Sequence, residues 1–163
     1  AVLVYLQKVG RHEFSDLEAG EHARLVTATG ELEGMAAAIS RDLAPLVAEF
    51  ETAKIVLSKE TAELLERLLQ AIEESARSAL HALVERDEQA AQAVLAKRGE
   101  IAGLTAEVQQ LQAARLAQDD PDRFTKHRLQ IELLDRLRRI YSVSEHMAIS
   151  VLPRSLLAGD LYS

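Results

Sequence analysis

The spacing of apolar residues between 94 and 111 constrains this chain more than any other feature. Val94, Ile101 and Val108 stand seven residues apart, and so do Leu104 and Leu111. Two interleaved seven-residue sets make one stripe along a helix, and a 3.5-residue repeat is the seam of a left-handed bundle. Such a helix is stable only when its stripe is buried against other elements. The rest of the chain therefore has to supply partner helices.

Suitable partners lie on both sides. Upstream, helix B starts at the N-cap candidate Ser58. Its apolar stripe reads Leu64, Leu65, Leu68, Leu69, Ile72, Ala76, Leu80, Leu83 and Val84. Asp87 separates it from helix C, the one with the heptads, and is placed to cap it. Asp119-Asp120-Pro121-Asp122 is a break, with Asp120 as N-cap and Pro121 at the first helical position of helix D. Helix D carries Leu134, Leu137 and Tyr141 at i, i+3, i+7, with Arg136 and Arg139 directed elsewhere, and Pro153 stops it near Leu152.

Before these, Ser15-Asp16-Leu17-Glu18 has the form of a capping box, so helix A is expected over about 16–47. Its apolar residues include Leu25, Leu32, Met35, Ile39, Leu43 and Leu46. Gly20, Gly30 and Gly34 either weaken it or allow close helix approach, and Pro45 kinks or ends it. Residues 1–9 read as the end of an earlier element, broken at 10–14. Ala1-Val2-Leu3-Val4 resembles the middle of an element, so the chain is expected to be part of a longer protein. Helices of about 30 residues are about 45 Å long, and short breaks between them force antiparallel neighbours. The expected fold is all-α, an elongated antiparallel helical bundle of a three-helix unit plus one additional long helix.

Composition narrows the function classes. Seven Gly and three Pro in 163 residues are too few for a turn-dense β fold. With no Cys, disulfide frameworks, cysteine-based zinc sites and thiol nucleophiles are excluded. A net charge of −7 disfavours nucleic acid, which needs a basic footprint, and a helix lying on anionic lipid. No stretch of 18 apolar residues occurs, so this chain itself is not expected to insert in a bilayer. Ala1–Leu6 is too short for a signal peptide and has no basic region before it.

Side chains capable of chemistry are scattered. None of the five His has Glu three residues before it, as a ferritin-like di-metal site requires. Glu18 with His22, and His81 with Glu85, stand at i, i+4 and can share a metal, although an ion pair or a solvated face fits them better. Glu145 and His146 are adjacent and diverge on a helix. The arginines at 136, 138 and 139 have the chemistry to hold a phosphate, but are expected to pair with Glu132 and Asp135. There is no Gly-rich phosphate loop and no serine with a base at diagnostic spacing. No catalytic, cofactor-binding or metal residue is expected, no cofactor, and no enzymatic activity.

One stretch is more specific. Leu133-Leu134-Asp135-Arg136-Leu137-Arg138-Arg139-Ile140-Tyr141-Ser142 resembles the final helix of the PhoU-like domain at the C-terminus of bacterial Na+/phosphate cotransporters. Ala82-Leu83-Val84-Glu85-Arg86-Asp87, followed by Val94-Leu95 and Glu100-Ile101, resembles the junction of that domain's first two helices. Tyr5–Val9 with Ser15-Asp16, and Leu32-Glu33 with Ile39–Leu43, resemble parts of a preceding PhoU-like half. The short motifs gain their specificity from order and spacing over nearly the whole chain.

The resemblance implies three regions: 1–57 as the tail of a first PhoU-like half containing helix A, 58–153 as a PhoU-like three-helix unit, and 154–163 as a C-terminal tail. It implies a non-catalytic regulatory domain of a sodium-dependent phosphate transporter, at the cytoplasmic face of the bacterial inner membrane. The implied partner is the membrane domain of the same transporter. A homodimer is possible through the stripe of helix A. PhoU proteins also carry acidic E-x-x-x-D repeats that bind metal clusters. The matching positions here are Glu33 with Ala37 and Arg138 with Ser142. One acid remains of four, so no cluster is expected. The alternatives are a soluble PhoU-type regulator of phosphate uptake and signalling, and a bundle enzyme with a metal site.

Overall fold

A computed structural model of the chain describes residues 2–9, 15–116 and 123–153. Every regular element among the described residues is helical, as the all-α expectation requires. The elements are α1 (Val2–Val9), α2 (Asp16–Ala37), a π turn (Ala38–Leu43), α3 (Ala44–Thr52), α4 (Lys59–Glu85), α5 (Glu88–Ala96), α6 (Arg98–Leu116) and α7 (Arg123–Val151). The breaks expected at 10–14 and at Asp119–Asp122, and the tail at 154–163, lie outside the described residues.

Three helix starts follow from their caps. Ser15 Oγ accepts from the Glu18 N–H at 3.4 Å, and the Glu18 carboxylate accepts from the Ser15 N–H at 2.9 Å. That closes the box and satisfies two otherwise orphaned donors. The Ser15 hydroxyl also donates to Glu18 Oε2 at 2.7 Å, and this bond first, then that from the Ser15 N–H, holds the Glu18 carboxyl below its usual range. Ser58 accepts from the Thr61 N–H. Asp87 Oδ1 accepts from Gln89 N–H at 2.9 Å and Ala90 N–H at 3.1 Å. The residue before it, Arg86, is left-handed at φ 58°, so α4 ends and α5 begins with no free linker.

Helix A is not one continuous helix ending near 47. It is α2, a π turn and α3, and it extends to Thr52. Pro45 explains the π turn. Its ring would clash with the carbonyl four residues back, at Arg41. Widening the preceding turn removes the clash, and the Ala44 N–H reaches the Ile39 carbonyl five residues back. Helix C is also interrupted, at Lys97, yet the heptad residues keep their phase. Val94, Ile101, Leu104 and Val108 are all buried, and Leu111 is half-buried.

α7 is the hub. It packs against α4, α5, α6, α2, the π turn and α3. Lys97 pairs with Glu74 at 3.0 Å and His81 approaches Asp87 at 3.4 Å, so α4 and α5 run in opposite directions. Arg128 on α7 pairs with Glu49, and Arg139 with Asp42 at 3.5 Å, so α7 and helix A are antiparallel as well. The core contains Leu68, Ile72, Val94, Val108, Leu134 and Met147, and Ala28, Met35 and Ala38 of helix A join the same cluster.

Two of the apolar stripes are narrower than periodicity alone suggests. On α4, Leu69, Leu80 and Val84 are exposed; on helix A, Leu25, Leu32 and Ile39 are. In each case the stripe is wider than the face that neighbouring helices cover.

The glycines of α2 make no close approach either. A Cβ at Gly20, Gly30 or Gly34 would meet nothing within 4 Å. Glycine inside a helix costs about 0.5–1 kcal/mol relative to Ala through backbone entropy. Gly30→Ala and Gly34→Ala are each expected to stabilise the chain by about that amount in urea denaturation. A loss of stability in either variant would show that its glycine is needed in the folded chain.

Candidate functional site

A groove of about 700 Å³ lies between α6 and α7. Its charged rim is Arg98, Asp135, Arg138, Arg139 and Glu145, and Thr105, Gln109 and Ser142 add polar groups. Most of this charge is already matched. Arg98 Nε donates to Glu145 Oε1 at 2.8 Å, and Arg139 pairs with Asp42 at 3.5 Å. Arg138 is exposed, and Arg136 is half-buried with its Nε lacking a hydrogen-bond partner.

The pairing expected for this arginine cluster is therefore corrected. Glu132 accepts from Arg128, four residues before it, at 2.8 Å. The arginine at 139 looks across to helix A instead of to its own helix. Lateral packing of helix A on α7 brings Asp42 within reach, which no spacing along α7 reveals.

Tyr141 closes one end of the groove. Its hydroxyl donates to the Val94 carbonyl at 3.0 Å, beside the interruption between α5 and α6. A buried polar group needs such a partner, and a carbonyl near a helix break needs a donor. Burial pushes the Tyr141 phenol up to about 12, with the Glu145 carboxylate adding to the effect and Arg98 opposing it. Its pKa in the fold thus exceeds the ordinary value of 10.0. The stability it contributes is complete below pH 10 and is lost as pH rises through about 12. Ultraviolet titration is expected to show a tyrosine ionising near 12 that vanishes in Tyr141→Phe. A profile unchanged by that substitution would contradict the burial.

A second groove, of about 480 Å³, lies where α2, α4, α5 and α7 meet, and carries Glu21, Arg24, Arg86 and Glu88. Glu21 sits between two guanidiniums, accepting from Arg24 Nη2 at 2.7 Å and from Arg86. The hydrogen bond from Arg24, more than the charge of Arg86, holds its carboxyl near 2.

The other candidate pairs are separated. Glu18 is engaged by Ser15, while His22 Nε2 lies 2.6 Å from the Leu6 carbonyl, joining α1 to α2. His81 turns to Asp87 rather than Glu85. Glu145 faces Arg98, and His146 is exposed. Glu33 is exposed on α2 and Arg138 on α7, and no hydrogen bond or ion pair joins the two positions. Among the described residues, no three His, Asp or Glu side chains are grouped to hold a metal ion, and no helix is long and apolar enough to cross a membrane.

The contacts that spacing could not reveal are the interhelical ones: Arg98 with Glu145, Arg128 with Glu49 and Arg86 with Glu21. They depend on which helices are neighbours, and only the capping residues and heptads carried any signal for that. No protein-family model, curated protein or solved structure matches the chain.

Proposed function

We propose that this chain is a PhoU-like regulatory domain of a sodium-dependent phosphate transporter, held at the cytoplasmic face of a bacterial inner membrane, and that it acts through helix contacts without catalysis. The observation that carries the reading is the ordered set of motifs at 82–87, 94–101 and 133–142. The first lies where the resemblance implies the end of one helix and the start of the next, at the end of α4 and the cap of α5. The second runs across the interruption between α5 and α6, which the resemblance does not imply. The third lies within the hub helix, with Leu134, Leu137, Ile140 and Tyr141 buried.

The groove chemistry supports an interaction role. Arg98, Glu145 and Arg139 are committed to contacts between helices, and Asp135, Arg138 and several hydroxyls and amides remain along the groove. Its partner is the membrane domain of the same transporter.

The test is sodium-dependent uptake of radiolabelled phosphate by cells whose gene encodes this chain, before and after in-frame deletion of residues 58–153. Altered uptake, with the truncated polypeptide still in carbonate-washed membranes, is expected. Unchanged uptake would overturn the reading. Recovery of the intact polypeptide in the soluble fraction would point instead to a soluble PhoU-type regulator.

A further inference from the structure

We propose that helix A is a salt-gated clasp: an acidic strap held on the rest of the bundle by ion pairs, which swings open on its linker when those pairs are screened. Three ion pairs tie helix A to the other helices, and all run the same way. Glu21, Asp42 and Glu49 supply the acids, and Arg86 at the end of α4 with Arg139 and Arg128 on α7 supply the cations. Every one of these side chains is between 29% and 63% exposed, so all three pairs are open to screening.

Charge is divided in the same sense along the chain. Residues 16–52 hold eight Asp and Glu against two Arg, and so carry −6 of the net −7. α7 holds five Arg and one Lys against three acids, a net +3. Everything outside residues 16–52 is −1 overall, so little long-range repulsion opposes the local attraction.

The apolar part of the contact is thin. Among the described residues of helix A, the buried hydrophobic side chains are Ala28, Met35, Ala38 and Leu46. Two of these are single methyl groups, which stabilise far less on burial than a Leu does. The strap therefore leans on its charges more than the other helices do.

Opening strands few charges. Glu21 keeps Arg24 within α2, and Arg128 keeps Glu132 within α7. The linker also permits the swing. α3 ends at Thr52, and Ser58 caps α4 through Thr61, inside α4 itself, so α4 keeps its cap when helix A leaves. Leu57 is packed on the core. The turning thus falls on residues 53–56, where Lys54 is left-handed at φ 49° and Val56 is 80% exposed. A left-handed conformation is costly for a residue with a Cβ, and a freed linker relaxes it.

Exposed pairs are weak singly, and the screening length falls from about 30 Å at about 0.01 M salt to about 3 Å at about 1 M. Losing three together shifts the opening equilibrium of helix A roughly tenfold. The clasp does not rest on the transporter reading.

Hydrogen exchange of the full chain, followed by mass spectrometry at about 0.01 M and about 1 M NaCl, is the test. Exchange in α2 and α3 is expected to rise roughly tenfold at the higher salt, while α4 and α7 hold their rates. The triple variant Glu21→Gln, Asp42→Asn, Glu49→Gln is expected to show the faster rate already at low salt and to lose the salt response. Among the described residues, Glu31, Glu33 and Glu51 have no ion-pair partner. Changing those three to Gln removes the same charge from helix A and is expected to keep the salt response. Equal exchange in α2 and α3 at both salt concentrations would overturn the proposal. So would acceleration of α4 and α7 in step with helix A, a salt response that survives the first triple variant, or one that both variants abolish.

Discussion

Leu104→Asp is expected to unfold the chain or to cost at least about 4 kcal/mol, the range reserved for a disrupted core. Leu104 lies on the heptad seam of α6 and is 4% exposed. An ionised carboxylate there has neither water nor a cation among the core residues around it, and burying a charge without a partner is among the most costly changes a core can suffer. The carboxyl would escape part of the cost by staying protonated, so the variant should regain stability as pH falls from neutral toward the unfolded-state value of about 3.9. Thermal unfolding followed by circular dichroism is the measurement. An unchanged melting temperature would mean that the seam does not face the core.

The second large effect is a contrast between neighbours on α4. Leu68→Ala is expected to cost about 2–5 kcal/mol and Leu69→Ala less than about 1 kcal/mol. Leu68 is fully buried, in the core cluster that α4 shares with α7, whereas Leu69 is 49% exposed. Removing the first leaves a cavity that surrounding helices fill only partly; removing the second leaves none. Similar losses at both positions in urea denaturation would show that helix α4 is rotated from the phase described.

Local signals in the sequence proved dependable where one residue's chemistry decides the outcome. Ser15, Ser58 and Asp87 cap helices because their side chains reach backbone donors two or three residues away, whatever the rest of the chain does. The seam of α5 and α6 was legible for a similar reason, since a seven-residue period is a property of one helix. Its interruption at Lys97 was not; there the Val94 carbonyl accepts from the Lys97 N–H and from the Tyr141 hydroxyl of a distant helix, a contact that no spacing along helix C announces. Pro45 announced a disturbance in helix A but not its form: a widened turn, with the helix continuing to Thr52.

The grooves were the least legible part. Periodicity put Leu25, Leu32 and Ile39 in one apolar stripe with Met35 and Leu46, since it reports that a face is apolar and not which neighbour covers it. α7 covers only part of helix A, so the apolar set divides between two directions. The charged side chains show the same limit. Glu145 and Arg98 are 47 positions apart, and Arg139 meets Asp42 on a helix with which it shares no spacing. Pairing within a helix is readable from i, i+4 distances, and pairing between helices is not.

Native-state hydrogen exchange of the full chain tests most directly the division into a three-helix unit with helix A appended. The buried contacts of α4, α5, α6 and α7 with one another are expected to make them a single cooperative body. Helix A is held against that body mainly through α7, by Ala28, Met35, Ala38 and Leu46, and by the exposed Glu21–Arg86 pair at the end of α4. Elements with fewer buried contacts open at lower free energy. Amides buried in α4 and α7 are therefore expected to exchange together, at the rate set by global unfolding. Those of α2 and α3 should exchange faster, through an opening that leaves the three-helix unit folded. Protection in α2 and α3 equal to that of α7, or loss of protection in α4 before helix A opens, would contradict this division.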